Sequence, residues 1–294
     1  MNKLLLHKRI QILSMLVEGS SMRSISRVVD VSINTVTKLL EDAGKFASAF
    51  HDDNVRDVAS KRIQVDEIWS FTYAKQKNVA TAKRKDLAYG DTWTWTGIDA
   101  DNKLIVSWLV GGRDSDFAMA FMDDLAKRLT NRVQLTSDGH KAYLEAVEGA
   151  FGGDIDYAML VKLYGAAPES MKGRYSPAEC IGARKTRIEG DPDPKYVSTS
   201  YAERHNLTMR MGMRRFTRLT NAFSKKLVNH EHALALYFLH YNWCRLHMSL
   251  RVTPAMAAGI TDKIWDWEDF IAMMDAENPP KKRGPYNDPA VTTA

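Results

Sequence analysis

Ile63-Gln64-Val65-Asp66-Glu67-Ile68-Trp69-Ser70-Phe71 is the stretch on which the fold turns. β-Branched and aromatic residues dominate it, and the pattern predicts a strand over 63–73. An acid within such an apolar strand is costly unless it is paired or bound to a cation. Alternation sends adjacent side chains to opposite faces, so only one of Asp66 and Glu67 can join a site on either face. Asp66 is the candidate and Glu67 its rival.

Downstream, a basic, loop-like stretch at 74–90 precedes two strands, 92–99 and 103–110, paired as a hairpin through Ala100-Asp101-Asn102. Trp93, Trp95 and Trp108 on these strands read as core residues. An amphipathic helix at 114–129, a short strand at 133–137, a helix at 140–148 and a strand at 155–163 follow. The order predicts three antiparallel strands extended by two crossover strands, a mixed sheet flanked by helices. That is the element order of an RNase H-like α/β core. Residues 164–198 hold four of the nine prolines and little periodicity, and read as a long irregular insertion. A helix from about Tyr201 and a strongly apolar one at 231–246 complete the core. The tail from Asn278, with Lys281-Lys282-Arg283, is predicted to be disordered.

Upstream, residues 7–42 read as three short helices, with a polar linker, helical in part, at 45–60. Between Ser21 and Leu40 the chain reads SMRSISRVVDVSINTVTKLL. Ile25, Val28, Val31, Val36 and Leu39 supply the apolar positions of a helix-turn-helix. Asp30 tolerates the left-handed turn, Ser32 is a good N-cap, and Gly44 is expected to close the third helix. Ser32, Asn34, Thr35 and Lys38 then occupy the exposed face of that helix, with side chains suited to base edges and phosphates. The resulting division is 1–44 for a helix-turn-helix domain, 45–60 for a linker, 61–262 for the α/β domain and 263–294 for a C-terminal helix and tail.

The chain has 294 residues, 45% of them hydrophobic, enough for a real core and more than one structural unit. Net charge is only +5, but residues 204–226 carry Arg204, Arg210, Arg214, Arg215, Arg218, Lys225 and Lys226 without an acid among them. Such a run can neutralise phosphates. Two cysteines, Cys180 and Cys244, are too few for a disulfide framework. No apolar run approaches a membrane span, and the expected location is the cytoplasm.

Two further acids stand out. Asp138 ends VQLTSDGHKAY, where a strand stops before Gly139; ligand sites of open α/β sheets gather at such strand ends. Its plain alternative is a turn or cap residue. Glu203 opens the basic helix in STSYAERHNLTMRMGMRRF, where Ser200-x-x-Glu203 also has the form of a capping box. Several carboxylates brought together suit hard divalent cations.

VDEIWSF, TSDGHKAY, STSYAERHNLTMRMGMRRFTRLTNAFSKK and ALYFLHYNWCRLHMSLRVTPAMAAGI, in that order, resemble the DDE transposases of the insertion-sequence-one family over residues 60–262. The resemblance implies that Asp66, Asp138 and Glu203 form the metal-binding triad, with two Mg²⁺ ions as cofactor and Mn²⁺ able to substitute. It implies cleavage and strand transfer at terminal inverted repeats. The partners would be double-stranded DNA, as element ends and target, and further copies of the chain in a dimer or larger assembly. Arg204, His205 and Asn206 would approach the scissile phosphate; Arg210, Arg214 and Arg215 are DNA-binding candidates from the basic run itself. The Cys-rich N-terminal motif of some members is missing, so end recognition falls to the helix-turn-helix. An RNase H-like nuclease and a domesticated DNA-binding regulator without catalysis are the competing readings.

Overall fold

Ile63, Val65 and Ile68 are fully enclosed, because the strand that carries them lies in the middle of a sheet covered on both faces. In the computed structural model, which describes residues 3–84, 86, 88–165, 180–217, 221–277 and 279, the sheet has six strands. They are β1 (Arg62–Thr72), β2 (Gly90–Asp99), β3 (Ile105–Gly111), β4 (Gln134–Ser137), β5 (Asp156–Tyr164) and β6 (Cys180–Glu189), in the order β3-β2-β1-β4-β5-β6. β1 to β3 form an antiparallel meander, and β4 and β5 extend it in parallel. The expected arrangement of three antiparallel strands and two crossover strands is therefore present in a mixed α/β sheet.

β6 departs from expectation. It lies within the stretch read as an irregular insertion and pairs antiparallel with β5 along its whole length. CIGARKTRIE gives no burial signal because nearly every residue of this edge strand is exposed. Its conformation comes from the ladder to β5, a non-local cause. Lys and Arg along an open edge also discourage pairing with other chains. The rest of the insertion, 166–179, lies outside the described residues.

Three helices precede the sheet: α1 (Leu6–Val17), α2 (Met22–Val29) and α3 (Ile33–Asn54). Ser21 and Ser32 cap α2 and α3, each accepting a backbone N–H. Asp30 adopts φ 53° between them, the left-handed geometry that the turn needs. Val28, expected inward, is 59% exposed; Val29 takes the buried position. α3 does not stop at Gly44 but runs ten residues further, through the segment read as a linker. Gly44 is required by a crossing and not by a helix end: a Cβ there would stand 2.6 Å from His232 Cα. The far half of α3 sets Phe46 and Phe50 edge-on against Trp243, Trp265 and Phe270.

The other helices are a single turn α4 (Gln76–Val79), then α5 (Ser115–Arg128) and α6 (Ala142–Phe151) on one sheet face. On the other side lie α7 (Ser200–Gly212) and α8 (Leu227–Leu239), followed by α9 (Pro254–Ala257) and α10 (Trp267–Glu277). α8 ends in a widened π-type turn at His240–Cys244. There Asn242, fully buried, receives the N–H of Ile105 and donates to its carbonyl, each at 3.0 Å. Asn242, within the last sequence motif, thus joins the helical layer to β3. α10 returns to the N-terminus, where Arg9 makes a two-pronged ion pair with Asp275 at 2.8 and 2.9 Å. Among the described residues no helix is long and apolar enough to cross a membrane. Arg218 and the Lys281-Lys282-Arg283 run fall outside them.

Candidate functional site

Strand register decides which side chains meet. Gln64 stands beside Thr136, and Thr136 beside Ala158. Counting by twos, Gln64 and Asp66 on β1, Asp138 just past β4, and Leu160 and Lys162 on β5 all belong to one face. α7 lies across that face. Its start is fixed by Gln64, whose Oε1 accepts the N–H groups of Tyr201 and Ala202 at 2.8 and 3.2 Å. Two helix-terminal donors that would otherwise lack partners are satisfied by one buried amide. No sequence rule singles out Gln64, because its partners are remote.

Carboxylate oxygens of Asp66, Glu67 and Asp138 all lie within 4.8 Å of one another, the one such group of acid, His and Cys side chains among the described residues. Asp66 receives the N–H of Glu67 at 2.9 Å and the Asn206 amide at 2.8 Å. Asp138 accepts the His140 N–H at 2.9 Å, the turn-forming bond that was its plain alternative. Burial, then the charges of Glu67 and Asp138, and more weakly that of Glu203, push the Asp66 carboxyl up to about 7.

Glu67 is differently placed. Its side chain is almost fully enclosed, under the other face, paired with Arg113 at 2.6 Å and hydrogen-bonded by the Tyr143 hydroxyl at 3.0 Å. The Arg113 guanidinium in turn lies over the Trp93 ring. The two side chains leave opposite faces of β1, yet the Glu67 carboxylate still reaches within 4.8 Å of those of Asp66 and Asp138, so alternation alone does not keep it out of the group. Asp66 and Asp138 thus face each other with only neutral donors, while Glu67 has a cation of its own. Two half-buried carboxyl groups on one face with no cation of their own fit a hard divalent cation, which would favour ionisation of both.

Glu203 is on the first turn of α7, one turn before Asn206 and so on the same side of the helix. Its carboxylate is held by Lys162 Nζ at 2.5 Å and by the Thr199 hydroxyl at 2.6 Å. The capping box from Ser200 does not form; Thr199 is the residue at the N-cap, and it donates to Glu203 instead of receiving. Lys162 was not singled out from sequence, since only the β4–β5 register brings it to this face.

The basic positions divide. Arg204, Arg210 and Arg214 are exposed. His205 and Asn206, which the resemblance set against a phosphate, are both buried. The His205 ring stacks on Phe238 and meets Tyr241 edge-on, and burial lowers its pKa to about 3. Asn206 serves Asp66. Arg215 is turned inward as well, bonding Ser224 Oγ at 2.9 Å, and burial lowers it to about 10. On α3, Ser32, Asn34 and Lys38 are exposed and Thr35 half-buried. The Ser32 hydroxyl is occupied by capping Asn34, and Lys38 pairs with Asp42.

No family model matches the sequence. No curated protein matches it either. Among solved structures the chain is similar to the piggyBac transposase in a synaptic complex with hairpin DNA. Identity there is 10%, over 92% of this chain and 69% of that one, with a TM-score of 0.40. It is also similar to the Mos1 transposase in a paired-end complex with the left transposon end: 12% identity, 51% of this chain, 58% of that one, TM-score 0.21. The Mos1 strand transfer complex gives 12% identity over 80% and 78%, with a TM-score of 0.23.

Proposed function

We propose that this chain is a DNA transposase of the DDE class with an RNase H-like core, of the kind its motifs resemble in the insertion-sequence-one family. The observation that carries the reading is the convergence of Asp66 and Asp138 on one sheet face, beneath a helix whose first turn presents Glu203. Asp66 and Asp138, 72 positions apart along the chain, have no reason to gather there, at a cost in repulsion, unless a cation is to be held.

Asp66, Asp138 and Glu203 hold two divalent ions, Mg²⁺ or Mn²⁺. When bound, such a pair supplies activation of a water or 3′-hydroxyl and stabilises the leaving oxygen. The chain does the rest. Asn206 fixes the orientation of Asp66, and Gln64 anchors the helix that brings in Glu203. Arg204, Arg210 and Arg214, on the exposed side of α7 and just beyond it, attract DNA phosphates. α2 and α3 act as a helix-turn-helix that reads the terminal inverted repeats through Ser32, Asn34, Thr35 and Lys38. Synapsis of two ends calls for a dimer or larger assembly, working in the cytoplasm on the nucleoid.

The test is to incubate purified protein and Mg²⁺ or Mn²⁺ with a labelled duplex bearing the repeats that flank its gene. Nicking at the repeat ends followed by joining is expected, and Asp66→Asn should abolish both while DNA binding persists. Structure-dependent cutting without joining would indicate a nuclease, and binding alone a regulator; either result overturns the proposal.

A further inference from the structure

We propose that Lys162 is a positioning residue: the counter-ion that engages Glu203 until a DNA phosphate draws the ammonium away. This rests on the metal-binding reading above. Three observations carry it. Lys162 stands on the same face as Asp66 and Asp138, the face that α7 lies across. Its Nζ lies 2.5 Å from Glu203 Oε2, while Thr199 Oγ1 occupies Oε1 at 2.6 Å, so both oxygens of the third acid are engaged. The two side chains are 36% and 40% exposed, which leaves the pair open to a ligand arriving from solvent.

An ammonium held on a carboxylate oxygen weakens that oxygen as a ligand, because it draws on the same negative charge and repels an arriving divalent cation. A lysine also cannot give its full strength to a carboxylate and a phosphate at once. DNA that recruits Lys162 therefore frees Glu203 to complete the metal site, and the two ligands favour one another by the same factor in either direction. The device would keep the third acid disengaged while no DNA is present. The partly exposed ion pair sets its size: a coupling of about threefold to fivefold.

The experiment follows Mn²⁺ binding to the full chain through the electron paramagnetic resonance signal of the free ion. Wild type, Lys162→Gln, Lys162→Arg and Asp66→Asn are compared with and without a short duplex lacking the repeats, at low salt. Wild type should bind Mn²⁺ about threefold to fivefold more tightly when the duplex is present. Lys162→Gln should bind it that much more tightly without DNA and gain nothing further from DNA. Lys162→Arg should retain the DNA dependence, and it keeps the test open if the Gln variant fails to fold. Weaker Mn²⁺ binding by Lys162→Gln, or an unchanged DNA increment, overturns the role of Lys162 alone. Failure of wild type to bind Mn²⁺ more tightly than Asp66→Asn overturns the metal-site reading, and this inference with it.

Discussion

Asn206 donates from Nδ2 to Asp66 Oδ2 at 2.8 Å, tying the second turn of α7 to the middle of β1. The bond links the strand that carries the first acid to the helix that carries the third. Its other amide atom, Oδ1, is buried without a partner among the described residues. Asn206→Ala should lower cleavage about 10- to 100-fold, the usual effect of losing a residue that orients a ligand. Repeat binding should be unchanged. Loss of DNA binding in the same proportion would contradict this role, and a gel-shift assay beside a cleavage assay decides it.

The Asp66 carboxyl titrates near 7 when folded, against 3.8 ordinarily, chiefly because it is buried and secondly because Glu67 and Asp138 stand near. The folded protein therefore holds this proton more tightly than the unfolded chain. Stability of the metal-free protein should fall as pH rises from about 4 to about 7, with the penalty fully present above that. Asp66→Asn cannot ionise. It should exceed wild type by on the order of 3–4 kcal/mol at pH 8 in a chelator, and by little at pH 4. Thermal denaturation at the two pH values checks this; an Asn variant less stable at pH 8 would count against the buried, repelled carboxylate.

Arg204 and Arg215 should separate in a salt titration of DNA binding. Arg204 is exposed on α7, and Arg204→Ala should reduce the slope of log affinity against log salt by about 1. Arg215 bonds Ser224 and the Asn229 carbonyl from inside the fold. Arg215→Ala should leave the slope alone and cost about 1–3 kcal/mol of stability through the partners it abandons. The reverse pattern would show that the inward arginine swings out to meet DNA.

Gly44→Ala tests the contact between the N-terminal helices and the α/β body. A methyl group there meets the backbone of His232 at 2.6 Å. Mid-helix, Ala should otherwise be favoured over Gly by about 1 kcal/mol. Overpacking should reverse that sign and destabilise by about 1–3 kcal/mol. A more stable variant in chemical denaturation would mean that α3 and α8 do not cross so closely.

Much of this was legible beforehand, for identifiable reasons. β1, β2 and β3 declare themselves because continuous β-branched and aromatic runs belong to strands buried on both faces. Alternation foretold that Asp66 and Glu67 leave opposite faces of β1, but not that their carboxylates would still come within 4.8 Å of each other. Misreadings arose where distant contacts override local signals. Gly44 has the look of a helix stop, yet its missing side chain answers a crossing with α8. β6 carries no apolar alternation because its edge faces solvent, and only β5 makes it a strand. His205 and Asn206 sit in a basic run, but the turn of α7 points both inward, one toward Phe238 and one toward Asp66. Gln64 and Lys162 could be found only through the pairing of β1, β4 and β5, which the sequence does not spell out.

The most direct test is a crystal of the full chain with DNA and Mn²⁺, examined at the manganese absorption edge. Anomalous peaks are expected in contact with Asp66, Asp138 and Glu203, with Lys162 no longer on the Glu203 carboxylate. Peaks elsewhere, or Mn²⁺ at Asp66 and Asp138 with Glu203 still held by Lys162, would contradict the three-acid centre.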